Sequence, residues 1–445
     1  MLLLYRLLFP LALLAVLPLY LPRMLRRGGY FRHFGQRLGW VPTLPAKCSG
    51  AQRIWVHAVS VGELLALGPL LDLLRREHPS AQIVMTTTTS TGYALAERKY
   101  GPNLTYLGYF PLDFWPMSRR VWEHLQPDLC LLMEGELWPE HLHQARIRQI
   151  PTLLINARIS ERSFRRWRFL PSLLRTPLAM VTMFVAASEE DARRFALLGV
   201  PEHRILVGGN LKLDFSPAPI LGPTDLDTLR QELGLRSADV TTKNVSQPLV
   251  LAGASTWPGE EAMLTRVVRQ LKGQGISCHL LLIPRHAERR TELRKQLRNE
   301  GWRVHFRTSG PATGPVDVVV ADTTGEMVLL LQAADVVFVG KSMGLNKGGQ
   351  NPIEAAALGK AVLFGPNMQN FRAVVGSMLE AGAGKCVEDE TELVQVVAEL
   401  LRCQKARDTL GHAARQWHQA SAGAARCTVE VVNRFLGPGL PGSRC

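Results

Sequence analysis

Three glutamates follow predicted strands at positions where their carboxylates could take part in acid–base chemistry. Glu63 ends the segment W-V-H-A-V-S-V-G-E, in which an apolar run leads to Ser60 and Gly62. Ser60 can cap the next helix, and the helix dipole then favours the ionised form of Glu63. An ionised carboxylate that faces a cleft can accept a proton from a substrate hydroxyl. A helix-capping glutamate has the same surroundings, so the residue alone leaves both roles open.

Glu134 and Glu136 form a second acidic pair, in the segment E-G-E-L-W-P after another apolar run. Two carboxylates one residue apart cannot both cap the same backbone group. We therefore expect Glu136 to bind or orient a sugar or an acceptor, with a weaker role for Glu134. A structural role for one of the two fits the pattern equally well.

A glycine-rich loop near residue 350 has the residue types that suit a phosphate. The segment G-L-N-K-G-G-Q-N-P-I-E leads from a strand into a helix that is predicted to start at Pro352. Backbone N–H groups of such a turn can face an anion, and we expect this of Gly348, Gly349 and Asn351. Glu354, in the first helical turn, is placed to accept hydrogen bonds from ribose hydroxyls. An ordinary tight connection between strand and helix would look similar.

Basic and polar residues follow several other predicted strands. Lys212 lies in G-G-N-L-K-L-D and Arg285 in P-R-H, and both are expected to face an anionic donor. A structural ion pair is the alternative for Arg285. The turn D-T-T-G-E-M places Gly325 and Glu326 at a helix start, from which their backbone can reach a nucleotide.

Arg158 begins a basic stretch, N-A-R-I-S followed by E-R-S-F-R-R-W-R-F, that also contains Arg165 and Arg166. Basic and aromatic residues interleave in this way in nucleic-acid sites. They also do so where a protein binds phosphorylated lipid, and the apolar N-terminus described below favours lipid. A solvated basic helix face is the third possibility.

The elements that would position these residues alternate between strands and helices. The predicted strands are 54–59, 82–88, 104–110, 128–133, 152–156, 183–187, 249–256, 279–283, 316–321, 336–339 and 361–364. Segments with helical spacing, such as 64–77 and 189–198, lie between them, and 390–435 is helical in pattern. This alternation predicts parallel sheets covered on both faces, which bind ligands beyond the carboxyl ends of their strands.

Length and composition indicate a folded protein with an anionic partner. The chain has 445 residues, of which 46% are hydrophobic and 20% charged, enough for two or three domains with large cores. Its net charge of +14 suits nucleic acid, acidic lipid or a phosphorylated substrate. Seven scattered cysteines without a C-x-x-C pair indicate reduced thiols and no structural zinc. H-E-x-x-H, nucleophile-elbow and P-loop motifs are absent, and no G-x-G-x-x-G dinucleotide motif follows the first strand, which disfavours NAD.

The N-terminus begins with an almost wholly apolar run, residues 2–22, followed by a basic stretch, 23–37. Most of the charge follows the run and no cleavage site is evident, unlike a signal peptide. We expect the run to anchor the protein, either by spanning the membrane once or by lying in its interface. The positive flank predicts that the rest of the chain is cytoplasmic.

The glycine-rich segment and its continuation, A-A-L-G-K-A-V-L-F-G-P, resemble the nucleotide-binding region of retaining sugar transferases with the GT-B fold. More narrowly, the chain is similar to the 3-deoxy-D-manno-octulosonic acid (Kdo) transferases of lipopolysaccharide synthesis. The segments that carry the resemblance are W-V-H-A-V-S-V-G-E, E-x-E-L-W-P, N-A-R-x-S, G-N-x-K-x-D, P-R-H and D-T-x-G-E. Three positions depart from the family pattern: Gly135 replaces a threonine, Lys341 a glycine and Gln350 a histidine.

The resemblance implies a fold and an activity. The expected fold is α/β of GT-B type, with two Rossmann-like domains that face a central cleft. The expected divisions are 1–27 (membrane anchor and basic flank), 28–215 (acceptor domain), 216–248 (linker) and 249–435 (CMP-Kdo domain with C-terminal helices). The expected reaction moves Kdo from CMP-Kdo to a lipid A precursor at the cytoplasmic face of the bacterial inner membrane, without a metal or other cofactor.

The family's catalytic base corresponds to Glu63, and Ser60 and the three arginines are expected to bind the acceptor. Membrane lipids are expected partners and nucleic acid is not. Two alternatives stay open: a UDP-sugar transferase or epimerase of the same fold, and a non-catalytic membrane-associated protein that binds lipid or nucleic acid.

Overall fold

The computed structural model describes residues 2–27, 33–47, 50–169, 171–217, 219–236 and 248–436. These residues form two compact units. The first contains the chain up to Asp214 together with the residues from Ser421 onward, and the second is Phe215–Ala420.

A seven-stranded parallel sheet forms the centre of the first unit. Its strands are β1 (Arg53–His57), β2 (Gln82–Thr87), β3 (Tyr106–Tyr109), β4 (Leu129–Met133), β5 (Thr152–Ala157), β6 (Met183–Ala186) and β7 (Ile205–Val207). The spatial order is β3-β2-β1-β4-β5-β6-β7. β1, β4 and β5 are buried along their whole length because helices cover both faces, which explains their continuous apolar sequences.

Helices of the first unit connect the strands and cover the sheet. They are α1 (Leu2–Arg27), α2 (Phe34–Arg37), α3 (Val61–Ala66), α4 (Gly68–Glu77), α5 (Ser90–Tyr100), α6 (Trp115–Leu125), α7 (Pro139–Ile147), α8 (Glu161–Arg168), α9 (Pro171–Met180), α10 (Glu189–Leu197) and the C-terminal α19 (Ala424–Leu436). The predicted helix 64–77 is two helices, α3 and α4, and Pro69 lies in the first turn of α4.

The second unit has the same architecture, with another seven-stranded parallel sheet at its centre. Its strands are β8 (Leu249–Thr256), β9 (Cys278–Pro284), β10 (Val304–Phe306), β11 (Val318–Val320), β12 (Val336–Val339), β13 (Ala361–Phe364) and β14 (Lys385–Cys386), in the spatial order β10-β11-β9-β8-β12-β13-β14. Its helices are α11 (Pro223–Glu232), α12 (Glu260–Gly273), α13 (Arg290–Asn299), α14 (Met327–Leu331), α15 (Ile353–Ala357), α16 (Arg372–Glu380), α17 (Glu390–Arg402) and α18 (Gln404–Ser421). The prediction of two Rossmann-like domains is therefore confirmed.

The segment predicted as a linker, 216–248, contains α11, which packs on the second unit. Leu229 and Leu233 are buried, and Arg230 donates to the Ala333 carbonyl and pairs with Asp335 at 3.3 Å. Residues 237–247 of this segment lie outside the described residues.

The C-terminal helix α19 belongs to the first unit, whereas the predicted division placed residues up to 435 in the second domain. The Asp214 carboxylate accepts hydrogen bonds from the N–H groups of Gly423, Ala424 and Ala425 at the start of α19. Asp214 thereby satisfies three backbone N–H groups that would otherwise lack a hydrogen-bond partner at the start of that helix. Apolar residues of α19, including Val429 and Val432, complete the core of the first unit.

The N-terminal helix α1 contacts the first unit through polar and aromatic side chains. Arg6 forms two hydrogen bonds with the buried Glu140 carboxylate (2.8 and 2.9 Å), and the Tyr5 hydroxyl donates to Asp113 (2.6 Å). Phe9 stacks on Phe114. The sequence left a single membrane crossing open for this segment, but no helix among the described residues is long and apolar enough to make one. Residues 28–32 of the predicted basic flank lie outside the described residues.

Candidate active site

The candidate base Glu63 lies at the topological switch point of the first sheet. β1 has β2 on one side and β4 on the other, and ligands of such sheets bind where the strand order reverses. Glu63 is in the first turn of α3, which follows β1, and only 7% of its surface is exposed. Its carboxylate accepts hydrogen bonds from Val59 N–H (2.9 Å) and the Ser60 hydroxyl (2.8 Å).

Burial raises the pKa of Glu63, and the hydrogen bonds from Val59 and Ser60 oppose that rise. Ser60 also accepts from Glu63 N–H (3.3 Å), so the pair caps α3 reciprocally. Glu63 therefore has the helix-capping role that the sequence left open. It holds the carboxylate in a fixed position at the carboxyl edge of the sheet, which is compatible with a catalytic role.

Glu134 and Glu136 follow β4, the neighbour of β1. Glu134 has a left-handed backbone (φ 55°), and its carboxylate accepts a hydrogen bond from Lys212 Nζ at 2.8 Å. Arg158, which follows β5, lies 3.9 Å from the same carboxylate. The Glu136 carboxylate accepts from Trp138 Nε1 at 2.8 Å. Burial raises the pKa of Glu136 to about 7, and the charge of Glu63 contributes to the rise.

The edge of the first sheet therefore brings together three carboxylates and two cations: Glu63, Glu134, Glu136, Arg158 and Lys212. The sequence predicted Lys212 as a donor-binding residue. The structure places it in the first unit against Glu134, among residues that were predicted to act on the acceptor. The positive charge of Lys212 lowers the pKa of Glu63, which favours the ionised base.

Arg165 and Arg166 lie away from this cluster, on α8. Arg165 is exposed and pairs with Glu161 one turn earlier (2.7 Å), and Arg166 is also exposed. Within the described part of the chain, neither arginine contacts Glu63 or Glu136. Their sequence position after β5 predicts an acceptor contact, and that role stays a prediction.

The glycine-rich loop of the second unit differs from the expectation in one respect. The N–H of Gly348 donates to the Asn367 carbonyl (3.0 Å) and to the Gln369 side chain (2.8 Å), and that of Gly349 donates to the Lys341 carbonyl (2.9 Å). The expectation that these two groups are free is therefore wrong, because the loop folds back on the turns after β12 and β13. Both glycines have left-handed backbones (φ 112° and 73°) and no space for a Cβ atom.

Asn351 and Glu354 complete this loop. The Asn351 side-chain oxygen accepts from Ile353 N–H (3.1 Å) and so caps the short helix α15. Glu354 is half-buried, and its Oε2 atom is buried without a hydrogen-bond partner among the described residues. Burial raises its pKa to about 7, while Arg285 and Asn351 oppose the rise. A buried carboxyl oxygen without a partner is costly, and a ligand hydroxyl would satisfy it.

The other predicted donor-binding residues follow neighbouring strands of the second sheet. Arg285 is exposed immediately after β9. Gly325 is exposed in the turn before α14, and Glu326 lies 3.5 Å from Arg307. Asp322, in the same segment, accepts from the backbone and hydroxyl of Thr308 and is therefore structural. No group of three His, Cys, Asp or Glu side chains in the described ranges could hold a metal ion.

Sequence reasoning missed Glu260 and Trp257. The buried Glu260 carboxylate accepts four backbone hydrogen bonds, from the N–H groups of Trp257, Lys341, Ser342 and Met343. It thus joins the loop after β8 to the loop after β12. The segment G-E-E at the start of α12 gave a signal for a cap, but three of the four partners of Glu260 are 81 to 83 residues away and no local pattern identifies them.

Comparison with solved structures shows the fold. The crystal structure of UDP-GlcNAc 2-epimerase from Neisseria meningitidis bound to UDP-GlcNAc matches with a TM-score of 0.59, covering 86% of this chain and 100% of that chain at 14% identity. This likeness supports an architecture of two Rossmann-like domains and says nothing of substrate.

Comparison with sequences gives the family. A sequence profile described as "3-Deoxy-D-manno-octulosonic-acid transferase (kdotransferase)" matches residues 32–215. The 3-deoxy-D-manno-octulosonic acid transferase of Bordetella pertussis is 35% identical over 87% of this chain and 88% of its own length. That of Haemophilus influenzae is 30% identical over 92% of each chain. The chain thus belongs to the 3-deoxy-D-manno-octulosonic acid transferases.

Proposed function

We propose that this enzyme transfers Kdo from CMP-Kdo to a lipid A precursor in lipopolysaccharide synthesis. The observation that carries the proposal is the placement of Glu63. A buried carboxylate of raised pKa is fixed at the switch point of the first sheet, beside Glu136 and the Lys212–Glu134 pair. Family membership gives the transferred sugar, and the geometry supports a base for the acceptor hydroxyl.

The second unit supports the binding of an anionic nucleotide donor. Arg285 and Lys341 are cations at the carboxyl edge of its sheet, and no described carboxylate lies within ion-pair distance of either. The charge of Arg285 acts on Glu354, whose pKa it lowers. Glu354 has a buried oxygen that can accept a hydrogen bond from a ribose hydroxyl. The bidentate geometry of a guanidinium suits a phosphate, so we assign the donor phosphate to Arg285.

The transfer step exchanges one bond to the anomeric carbon of the sugar for another. The acceptor hydroxyl oxygen attacks that carbon, and its proton passes to the Glu63 carboxylate. The bond between the anomeric carbon and the phosphate oxygen breaks, and CMP leaves with the electron pair. Positive side chains stabilise the charge that develops on the leaving phosphate. A raised pKa makes Glu63 a stronger base than an exposed glutamate, provided that it is ionised at the working pH.

The N-terminal helix supports a location at the cytoplasmic face of the inner membrane. Leu3, Leu7, Leu11 and Leu14 are each more than 60% exposed and recur at helical spacing, so they form an apolar stripe on α1. Tyr5 and Arg6 hold the opposite side of the helix on the first unit. A stripe of this kind suits insertion into the interface of a lipid layer, where the lipid acceptor resides.

The Glu63→Gln variant tests the function, because glutamine keeps an acceptor for Val59 N–H or the Ser60 hydroxyl but cannot take a proton. We expect kcat for transfer to fall by about 10²- to 10⁴-fold, measured by mass analysis of products from CMP-Kdo and a tetra-acylated lipid A precursor. Affinity for CMP, measured by calorimetry, should stay within about twofold of wild type, because Glu63 lies in the first unit.

Glu123→Gln is the matched control, because Glu123 is an exposed glutamate on α6 that pairs with Arg119. It should transfer Kdo at the wild-type rate. Near-normal turnover by Glu63→Gln would reject Glu63 as the base. Turnover of UDP-sugars but not of CMP-Kdo by the wild-type enzyme would reject the proposed donor.

A further inference from the structure

Lys341, which departs from the family pattern, and Trp257 lie at the switch point of the second sheet. The strand order reverses between β8 and β12, and ligands of such sheets bind beyond the carboxyl ends of the strands at that point. Trp257 directly follows β8, and Lys341 follows β12 after a single residue. His286, which follows β9 on the other side of β8, packs edge-on against Trp257 with the rings 5.3 Å apart.

Lys341 has a backbone conformation that glycine favours. Its φ of 56° lies in the left-handed region, where a residue with a Cβ atom is strained. The family resemblance predicts glycine at this position, and glycine would remove the strain. A lysine that persists in a strained conformation indicates that its side chain contributes something that glycine cannot.

Backbone hydrogen bonds fix both residues in place. The N–H groups of Lys341 and Trp257 donate to the same oxygen of the buried Glu260 carboxylate, at 2.7 and 2.9 Å. The Lys341 carbonyl accepts from Gly349 N–H at 2.9 Å. Lys341 is therefore joined to the loop that leads to Glu354, the residue proposed to bind the donor ribose.

The ammonium group of Lys341 rests on an aromatic face instead of a carboxylate. Its Nζ atom lies 4.2 Å from the centroid of the Trp257 ring. In the described part of the chain Lys341 forms no ion pair, so the Trp257 ring orients its charge without neutralising it. A cation held in this way keeps its hydrogen-bond donors available for an anion.

We propose that Lys341, held on the face of Trp257, binds an oxyanion of the nucleotide-sugar donor, an inference that rests on the proposed function. An acid sugar linked to a nucleoside monophosphate carries two anionic groups, the phosphate and the sugar carboxylate. The second sheet offers two cations without ion-pair partners among described carboxylates, Arg285 after β9 and Lys341 after β12, on either side of Trp257. Two cations on either side of one aromatic residue match two anions on one ligand.

The test is the Lys341→Gly variant, which removes the ammonium group and relieves the backbone strain. We expect the KM for CMP-Kdo to rise about tenfold, with kcat within about twofold of wild type and thermal stability equal or higher. Lys341→Arg should restore most of the donor affinity. Lys295→Ala, which removes an exposed lysine of α13, is the charge-matched control and should leave the KM unchanged.

Binding of CMP alone distinguishes the two anions. If CMP affinity falls by the same factor as donor affinity, the Lys341 partner is the phosphate. If CMP affinity is unchanged while the KM for CMP-Kdo rises, the partner is the sugar carboxylate, and either result supports the proposal. Trp257→Leu should also raise the KM, but should add little in the Lys341→Gly background, because the two residues act together.

If the wild-type enzyme uses CMP-Kdo and the Lys341→Gly variant has an unchanged KM, the proposed role of Lys341 is overturned. The proposed function would stand in that case. A wild-type enzyme that does not use CMP-Kdo would overturn the proposed function itself. A lower melting temperature together with equal losses for Lys341→Gly and Lys341→Arg would show a structural role and would also overturn the proposal.

Discussion

Replacement of Glu136 by glutamine should stabilise the first unit at neutral and alkaline pH. Burial, together with the charge of Glu63, raises the pKa of Glu136 from its ordinary value of 4.5 to about 7. At 1.36 kcal/mol for each pH unit, this difference corresponds to at most about 3 kcal/mol. Glutamine is uncharged, retains an acceptor for Trp138 Nε1, and has no ionised form to bury.

The sign of the pH dependence follows from proton binding. Between pH 4.5 and about 7 the unfolded chain has lost the proton of Glu136 while the folded protein keeps it, so the free energy of unfolding of the wild type falls as pH rises. Above pH 7 the loss is complete. Relative to wild type, the Glu136→Gln variant should therefore gain stability between pH 4.5 and 8, approaching about 3 kcal/mol.

Calorimetric unfolding of both proteins at pH 4.5, 6 and 8 measures this gain. Glu123→Gln is the control, because a hydrogen bond from Arg119 lowers the pKa of that exposed carboxyl and no gain with pH is expected. The same Glu136→Gln protein should transfer Kdo more slowly if Glu136 orients the acceptor, so stability and activity should change in opposite directions. A stability difference that does not change between pH 4.5 and 8 would refute the reasoning, because it would mean that Glu136 ionises without cost.

Two further predictions concern the terminal helices of the first unit. Arg6→Leu leaves the buried Glu140 carboxylate without its cation and should lower the free energy of unfolding by about 3 kcal/mol. The double variant Arg6→Leu with Glu140→Leu should recover part of that loss. Equal stability of the single and the double variant in urea unfolding would contradict this prediction. Asp214→Ala removes the acceptor for three N–H groups at the start of α19 and should lower the free energy of unfolding by about 1–2 kcal/mol. Hydrogen exchange across Ala424–Leu436 should become faster, whereas the control variant Asp225→Ala should leave it unchanged.

Local sequence predicted the order of elements and the position of most site residues. The strands of both sheets are short apolar runs because helices cover both faces, and their carboxyl ends must lie at one edge because the strands are parallel. Glu63, Glu136, Arg285 and Glu354 could therefore be assigned to that edge from their position after a strand. Position after a strand does not say what reaction a residue takes part in; the resemblance to the family predicted the reaction and assigned the base to Glu63.

The edge strands β10 and β14 escaped prediction, because three and two residues are too few to show the period of a strand, and the three-residue edge strand β7 was predicted without bounds. The break between α3 and α4 was also missed, because the helical spacing of apolar residues continues through Leu67. In these places the tertiary contacts, and not the periodicity of the residues, determine where an element begins and ends.

The sequence by itself determined what depends on neighbouring residues: the alternation of strand and helix, the capping of α3 by Ser60, and the left-handed turns at glycine. Only the tertiary structure decided the pairings between distant residues. It directs the N–H groups of Gly348 and Gly349 into the protein, sets Lys212 against Glu134, and places Lys341 on Trp257. The partners in these pairs are as much as 84 positions apart, as for Lys341 and Trp257, and the order of strands in each sheet brings them together.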